Sequence, residues 1–299
     1  MQFSGKRATL LAAGLAVALG ATACGGDDNK SDNSSKGNSS AIIIANSSEP
    51  QNGLLPANTN ETGGGRAMQL LFRGLIDYDS DGKPRNQVAD SIESADGQNY
   101  TVKLKDGWTF TNGEKVTASS FVDAWNFGAL ITNAQLNSFF FEPIEGYKAV
   151  HPDDPTPDNE KDALPKPSAK TMTGLKVVDD KTFTIKLAVP QASFPLRLGY
   201  TAFFPLPSGA VKDPKTFGEK PVGNGPYKLV TWKHKVEITT TVNPSYAGED
   251  KPKNGGITLK LYQSLSPAYA DLLANNLDTL DALEPKDIKT AVGDLGSRF

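Results

Sequence analysis

The sequence of 299 residues contains little of what catalysis requires, since it has one cysteine and two histidines. A single cysteine cannot form an intramolecular disulfide. Neither His151 nor His234 has a partner at the spacing of a metal site, and the sequence contains no G-x-S-x-G motif and no P-loop. We therefore expect no enzyme, no metal and no cofactor.

A surplus of positive charge is also absent. The formal net charge is −3, so the sequence gives no reason to expect nucleic acid as a partner. Charged residues make up 22% of the chain and apolar residues 38%, which is typical of soluble proteins and excludes a protein that crosses the membrane several times. The length corresponds to about two domains.

The most apolar segment lies at the N-terminus and is too short to span a bilayer. Lys6 and Arg7 precede the uncharged run ATLLAAGLAVALGATA, whose apolar centre falls short of the about 20 residues that a spanning helix needs. A basic start, a short apolar middle and small residues at the end predict a secretory signal peptide over residues 1–23. A buried N-terminal helix is the alternative, and these flanking residues disfavour it.

The single cysteine, Cys24, follows this segment directly. The ending ATAC resembles a bacterial lipobox, in which a signal peptidase cuts before a cysteine that carries diacylglycerol, although the usual leucine is Ala21 here. Two or more acyl chains hold a protein stably on a membrane. Because residues 25–40 have no large apolar side chain, they cannot offset the entropy of ordering. We expect residues 24–40 to be a lipidated cysteine and a flexible tether on the extracytoplasmic face of the bacterial cell membrane.

Hydrophobic periodicity predicts a mixed α/β fold with prominent antiparallel strands. The run AIIIA at residues 41–45 predicts a buried strand, and residues 66–78 predict a helix that leads into a strand. Asp-Gly and Asn-Gly pairs predict a small antiparallel meander over residues 77–115. The later elements are a helix from Thr117, hairpins over residues 174–190 and 225–243, a strand over residues 257–262 and a helix from Ser266.

Two patterns leave a catalytic alternative open. The sequence GNGPYK at residues 223–228 superficially resembles a phosphate-binding loop, but it contains proline and a strand follows it. The acidic pairs Asp153-Asp154 and Asp179-Asp180 allow a glycosidase-like arrangement, although solvated turn residues are the simpler interpretation. A secreted hydrolase is thus the alternative with the least support.

Three stretches together resemble the extracytoplasmic solute-binding proteins of family 5, the peptide-binding subunits of ABC importers. Residues 70–125 resemble the family's helix, GL strand, DG turns and VTAxD sequence. Residues 222–252 are similar to its GTGPY…NPxYW segment, and residues 270–283 to its helix end before an aspartate. The chain departs from the family's usual acidic, aromatic and glycine residues at Ser120, Ala247 and Asn276.

The resemblance implies a periplasmic-binding-protein-like fold of type II, in which two lobes close on a ligand and the first lobe carries an inserted strand-rich subdomain. On this chain it implies a discontinuous first lobe over residues 41–265, with the insert at about residues 73–187, and the start of the second lobe over residues 266–299. The rest of the family's second lobe comes after this point, so we expect the sequence to be a fragment or a truncated product.

The resemblance also implies a function. It predicts a lipid-anchored, monomeric substrate-binding subunit that captures oligopeptides outside the membrane and delivers them to the permease of an ABC importer. Its partners are then a peptide ligand, the permease and ATPase subunits and the membrane, with no nucleic acid. The same fold binding a nickel complex or an oligosaccharide is the alternative.

The resemblance also implies where a ligand is contacted, and two segments supply candidate residues there. In the loop after LLP, Asn58, Asn60, Glu61 and Thr62 carry polar groups that match the N–H and C=O groups of a peptide, or each could cap its own backbone instead. The segment QLNSFFFEP supplies a second wall. Three consecutive phenylalanines cannot all point inward, so one is free to face a ligand, unless all three pack under the subdomain. The candidates in this wall are Asn137, Phe139 and Phe140.

Overall fold

The structure, a computed structural model, describes residues 40–154 and 164–298. The predicted signal peptide, the lipidation at Cys24 and the tether up to residue 39 lie outside the described residues. Within the described part of the chain, no helix is both long and apolar enough to cross a membrane.

The described residues form a mixed α/β fold, as predicted, with ten strands and six α-helices. The strands are β1 (Ile42–Ser47), β2 (Ile76–Tyr78), β3 (Pro84–Asn86), β4 (Ala89–Glu93), β5 (Asn99–Leu104), β6 (Leu175–Asp179), β7 (Thr182–Lys186), β8 (Tyr227–Lys233), β9 (Glu237–Val242) and β10 (Gly256–Leu261). The helices are α1 (Thr62–Leu71), α2 (Ala118–Ala129), α3 (Tyr147–Val150), α4 (Pro214–Glu219), α5 (Leu265–Leu273) and α6 (Pro285–Leu295).

The first sheet has the strand order β1-β10-β9-β8, in which β1 is parallel to β10 and the other pairs are antiparallel. The prediction of a buried strand at the start of β1 is wrong, because β1 lies at the edge of this sheet and Ile42 is 47% exposed. The outer side of β1 meets the chain again at Thr279, which pairs with Ala45. A run of β-branched residues predicts that a strand forms, but it does not predict which strands pair with it in the sheet.

The second sheet has the strand order β4-β5-β7-β6 and is antiparallel throughout. Tyr100, Val102 and Leu104 of β5 are buried, as their alternation predicts. The predicted meander is wrong in its connections: β2 and β3 form a separate two-stranded sheet, and β5 pairs with the distant β7. Turn residues predict where strands end, whereas the pairing depends on contacts that are remote in sequence.

Helix α2 covers the second sheet with a row of aromatic side chains. Thr117 begins the helix in a capping box, and the hydroxyl of Ser120 accepts a hydrogen bond from the Thr117 N–H at 3.1 Å. Ser120 therefore takes the place of the acidic residue that usually closes such a box. Trp125 is fully buried, lies edge-on to Phe183 at a ring distance of 5.6 Å and donates its indole N–H to the Phe203 carbonyl.

The C-terminal part of the described chain has a small hydrophobic core of its own. Helix α5 begins at Leu265 with Ser264 at its N-cap, two residues before Ser266, the predicted cap. Ser266 instead bonds the Glu284 carboxylate through its N–H and hydroxyl. The residues buried in this core are Ala268, Tyr269, Leu272, Leu277, Ala291 and Leu295. The division of the chain into lobes and an inserted subdomain stays a prediction.

The segment Gly223-Asn224-Gly225 packs directly against the C-terminal end of α1. The Gly225 N–H donates to the Leu71 carbonyl at 2.8 Å. A Cβ on Gly225 would lie 2.5 Å from the Leu71 carbonyl carbon and 2.6 Å from the Phe72 nitrogen, and backbone atoms cannot move aside as a side chain would. The glycines of GNGPYK therefore permit a close backbone approach, and strand β8 follows them rather than the helix of a phosphate-binding loop.

Gly225→Ala should destabilise the fold strongly, because the added methyl group collides with the backbone of α1. We expect the free energy of unfolding to fall by about 2–3 kcal/mol, measured by urea denaturation. Gly209→Ala is the control: Gly209 is exposed and its added Cβ would meet nothing within 4 Å, so its effect should stay within about 0.5 kcal/mol. Equal stability of the two variants would contradict this account of the close approach.

Candidate functional site

The candidate site is a groove along the exposed side of α1, with a volume of 720 Å³. That volume suits a small organic ligand or a short peptide, for which about 300–1,000 Å³ is usual. Residues of the loop before α1, of β2 and of a 3₁₀ segment near Tyr200 form its walls, and side chains of the first sheet form its floor. The lining residues used below are Asn60, Glu61, Thr62, Arg66, Gln69, Arg73, Tyr78, Tyr200, Ile257 and Leu259.

The two arginines of this α1 groove are already paired with carboxylates. Arg66 forms an ion pair with Asp281 and donates to the Asn46 carbonyl. The hydrogen bonds of Asn46 and the ion pair with Arg66 hold the pKa of Asp281 below its usual value, against the opposing effect of burial. The charge at Arg66 is thus compensated within the protein.

The positive charge of Arg73 is also neutralised by carboxylates within the protein. Its guanidinium lies 3.4 Å from the Asp250 carboxylate, 4.0 Å from that of Asp77 and over the ring of Tyr246. Burial raises the pKa of Tyr246, whose hydroxyl donates to Asp250. The α1 groove therefore combines an apolar floor with walls whose positive charges are neutralised.

The four candidates in the loop before α1 have different environments. Asn60 and Thr62 are exposed and line the groove, and the Asn60 amide has no hydrogen-bond partner among the described residues. Glu61 also lines the groove, but its carboxylate caps α1 by accepting from the Gly64 N–H at 2.9 Å, which is the capping alternative. Asn58 does not line the groove, and its side-chain oxygen accepts from the Leu136 N–H.

Asn137 is fully buried, so the prediction that it faces a ligand does not fit its position. Its side-chain N–H groups donate to the Thr59 carbonyl at 2.7 Å and to the Pro56 carbonyl at 3.4 Å. Its backbone N–H donates to the Ala57 carbonyl. Asn137 therefore ties the phenylalanine segment to the loop that carries Asn60, and it positions groove residues rather than contacting a ligand.

The three consecutive phenylalanines point in different directions, because they lie in a 3₁₀ helix over Ser138–Phe141. Phe141 is fully buried, Phe140 is half-buried and Phe139 is 57% exposed. Phe140 stacks on Tyr200 with a ring distance of 4.1 Å and an interplanar angle of 13°. The three rings are thus not all buried, contrary to the alternative that all of them pack inward, and Tyr200 connects the segment to the α1 groove.

The loop between β1 and α1 is held at its far end by His234, in the turn between β8 and β9. His234 Nδ1 lies 2.8 Å from the Glu49 carboxylate, and Nε2 lies 2.9 Å from that of Glu219. The Lys235 N–H also donates to Glu49. Both ring nitrogens face carboxylates, so the protonated imidazole satisfies both contacts, and the hydrogen bond with Glu49 is the largest cause that raises the pKa of His234.

Comparison with known proteins identifies the family. The model of the bacterial extracellular solute-binding proteins, family 5 Middle, matches residues 83–297, which is well over half of the chain. The chain belongs to family 5 of the bacterial extracellular solute-binding proteins. Members of this family bind substrates and are not enzymes as a class.

Curated family 5 relatives carry peptide-binding names. The chain is 27% identical over 282 residues to the oligopeptide-binding protein OppA of Bacillus subtilis, covering 91% of this chain and 49% of that protein. It is 29% identical over 276 residues to the dipeptide-binding protein DppE of the same organism, covering 90% of this chain and 48% of that protein. The chain thus spans about half the length of these relatives.

Solved structures agree on the fold, which is that of the type II periplasmic binding proteins with two lobes. The Haemophilus influenzae OppA complex with RPPGFSPFR matches with a TM-score of 0.73 and 25% identity, covering 86% of this chain and 49% of that one. The Escherichia coli murein tripeptide binding protein MppA matches with a TM-score of 0.73 and 22% identity, covering 85% of this chain and 48% of that one. The chain matches about half of each two-lobed protein.

Sequence reasoning missed several residues of the groove of this family 5 protein. The missed residues Arg66, Gln69 and Arg73 follow the predicted Thr62 at three- and four-residue intervals, which is the spacing of one helix face, so this polar face was predictable. Tyr200 gave no comparable signal, because its segment has no regular period. Within the described residues, no group of three His, Cys, Asp or Glu side chains is arranged to hold a metal ion.

His234→Gln should reduce the dependence of the melting temperature on pH. Because the pKa of His234 is raised in the folded state, its charge stabilises the fold fully below the unfolded pKa of about 6.5 and ceases to do so as the pH rises through the folded pKa. From about pH 6 to pH 9 the wild-type melting temperature should fall by about 1–4 °C more than that of the variant, measured by calorimetry.

The matched control is His151→Gln, which replaces the other histidine of the chain. His151 stacks on Tyr147 and makes a contact with the Ala129 carbonyl rather than joining two carboxylates of distant segments. This variant should keep the wild-type pH profile. A wild-type profile in His234→Gln would show that the bridge between Glu49 and Glu219 does not respond to pH in this way.

Proposed function

We propose that this chain is the ligand-capturing part of the solute-binding subunit of an ABC importer for peptides. The observation that carries the proposal is the α1 groove, in which the polar side chains of Asn60 and Thr62 stand exposed beside an apolar floor. Peptides are recognised by polar groups that meet their main chain, together with space for varied side chains. The peptide-binding names of the family 5 relatives support this substrate class.

The rigidity of the loop before α1 supports the same function. Glu49 is held by His234, the Leu54 N–H donates to the Gly218 carbonyl, and Asn137 fixes the carbonyls near Thr59. A loop that is ordered before the ligand arrives loses less conformational entropy on binding. We infer that Asn60 and Thr62 form preorganised contacts for the peptide main chain.

We propose the lobe organisation as it follows from the family resemblance. Residues 41–265 form the first lobe, with the insert at about residues 73–187, and residues 266–299 begin the second lobe. A facing lobe would close over the α1 groove and complete the contacts with the ligand, and the loaded subunit would then meet the permease and ATPase subunits. The chain acts as a monomer and has no catalytic activity of its own.

None of the three tryptophans lines the proposed groove. Trp108 and Trp125 are buried in the core, and Trp232 lies against His234. The exposed rings of Tyr78 and Tyr200 do line it, so its aromatic residues do not distinguish a peptide from an oligosaccharide. The peptide-binding names of the relatives favour peptides over the alternatives of an oligosaccharide or a nickel complex.

Peptides should stabilise the protein, and Asn60→Ala should weaken their binding. Expressed from its complete reading frame, the protein should melt at higher temperature with a mixture of short peptides but not with oligosaccharides or nickel. Because Asn60 is exposed, its replacement should leave the ligand-free melting temperature unchanged. Loss of one or two hydrogen bonds should raise the Kd for peptide about 3–10-fold, measured by isothermal titration calorimetry.

Asn52→Ala is the matched control, since Asn52 is an exposed asparagine of the same loop that does not line the groove. It should bind peptide as the wild type does. Stabilisation by nickel or a sugar instead of peptides would replace the proposed substrate class. Peptide turnover would point to a hydrolase, and equal Kd values for wild type and Asn60→Ala would exclude Asn60 as a contact.

We also propose that diacylglycerol on Cys24 anchors the protein to the outer face of the cell membrane. The wild-type protein should sediment with membranes, and its intact mass should include the lipid. Cys24→Ser removes the acceptor thiol, so the protein should appear without lipid in the soluble extracytoplasmic fraction. An unlipidated wild-type mass, or a Cys24→Ser protein that still carries lipid, would refute this anchor.

A further inference from the structure

A row of aromatic and apolar side chains extends from the α1 groove to the protein surface. We call this row the aromatic shelf, and it consists of Tyr78, Leu196, Tyr200, Phe139 and Phe140. Four of these residues are exposed and Phe140 is half-buried, with Phe139 the most exposed at 57%. All five side chains are aromatic or aliphatic, so the shelf presents apolar surface beside the groove.

The shelf is ordered by contacts between its own members. The ring of Phe139 lies 4.6 Å from that of Phe140, and Phe140 stacks on Tyr200 at 4.1 Å. The half-buried ring of Phe140 thus supports an exposed ring on each side. Offset and stacked aromatic pairs contribute beyond the area that they bury, so Phe139 and Tyr200 are held in place although they face solvent.

The shelf is continuous with the α1 groove through its two tyrosines. Tyr78 and Tyr200 both line the groove, and Gly199 directly precedes Tyr200 in the chain. A Cβ on Gly199 would come within 2.6 Å of the Tyr78 ring, so the glycine leaves room for this ring beside the chain. The Tyr78 hydroxyl also donates to the Leu196 carbonyl, which joins the fifth member to the shelf.

The shelf also has a fixed position relative to the polar loop. Asn137 immediately precedes the 3₁₀ helix of the phenylalanines, and its side chain donates to the carbonyl of Thr59, the neighbour of Asn60. Because Asn137 is fully buried, this link is shielded from water. A ligand whose main chain contacts Asn60 therefore has the shelf at a constant distance, and one of its side chains meets the shelf in a constant register.

We propose that the aromatic shelf selects peptides that carry an aromatic side chain at one position of the bound chain, with Phe139 and Tyr200 as specificity-determining residues. This inference rests on the proposed function and adds a substrate preference to it. An exposed apolar surface beside a binding groove favours an apolar partner, and an aromatic ring gains from stacking on other rings in addition to being removed from water. A charged side chain would lose hydration on the same surface without a partner for its charge.

The test compares peptides that differ by a single residue. The wild-type protein, expressed from its complete reading frame, is titrated calorimetrically with pentapeptides of alanine in which one phenylalanine, leucine or lysine occupies each position in turn. We expect phenylalanine at one position to lower the Kd on the order of tenfold relative to the all-alanine peptide. Leucine should give a smaller gain at that position, and lysine should give none.

Phe139→Ala should remove this preference, because it should weaken binding of the phenylalanine peptide much more than binding of the all-alanine peptide. Since Phe139 is exposed, the variant should still fold. Tyr200→Phe is the control, because it keeps the ring and should keep the preference. The melting temperature of each variant without ligand is measured alongside, so that a loss of folding is recognised. Phe139→Leu should retain only the preference for apolar side chains in general.

Three results would overturn the proposal. Peptides that all bind equally well would leave the peptide-binding function in place but exclude the shelf as a selector. If Phe139→Ala loses the same affinity for every peptide, or keeps the preference for phenylalanine, Phe139 does not determine selection. Failure of every peptide to bind the wild type would instead remove the proposed function on which this inference rests.

Discussion

Residues 223–225 contact the end of α1 closely, and this contact connects α1 and β2 to the first sheet. The fully buried Asn224 accepts from the Arg73 N–H at 2.9 Å and donates to the Arg73 carbonyl at 3.0 Å, so it pairs with one residue as a strand would. The Asn243 side chain then fixes the Gly225 carbonyl from the first sheet. This contact sets the direction in which the chain leaves α1 for β2, and so fixes one wall of the groove relative to its floor.

The elements that depend on local sequence were predictable. Alternating side chains identified β5 and the hairpins β6–β7 and β8–β9, and Thr117 identified the start of α2. The neighbours of each strand were not predictable, because β1 meets β10 and β5 meets β7 across long stretches of sequence. The predicted N-cap of α5 was wrong for a related reason. The Ser266 hydroxyl bonds the carboxylate of Glu284, which is remote in sequence, and Ser264 is the N-cap instead.

The candidate site was predictable in part. The family resemblance pointed to the loop before α1, with Asn58, Asn60, Glu61 and Thr62 as candidates. All of these except Asn58 line the groove, although their role as ligand contacts stays a prediction. The sequence could not distinguish Asn137 from the exposed residues of this loop. The same side-chain amide can bind a ligand or donate to buried backbone carbonyls. Burial distinguishes them, and burial here depends on how the 3₁₀ helix over Ser138–Phe141 packs on the loop.

The charge pattern of the groove is consistent with the proposed selection through apolar contacts. Arg66 and Arg73 would be suitable partners for a peptide carboxylate, but Asp281 and Asp250 already neutralise them from outside the groove. Breaking such a pair to admit a ligand would leave a carboxylate without its partner, which is unfavourable in a partly desolvated place. The Glu61 carboxylate is likewise occupied by the Gly64 N–H. If the proposed ligand is a peptide, its charged ends would therefore be met by groups that face this groove from outside it, while the groove itself would contact the main chain and apolar side chains.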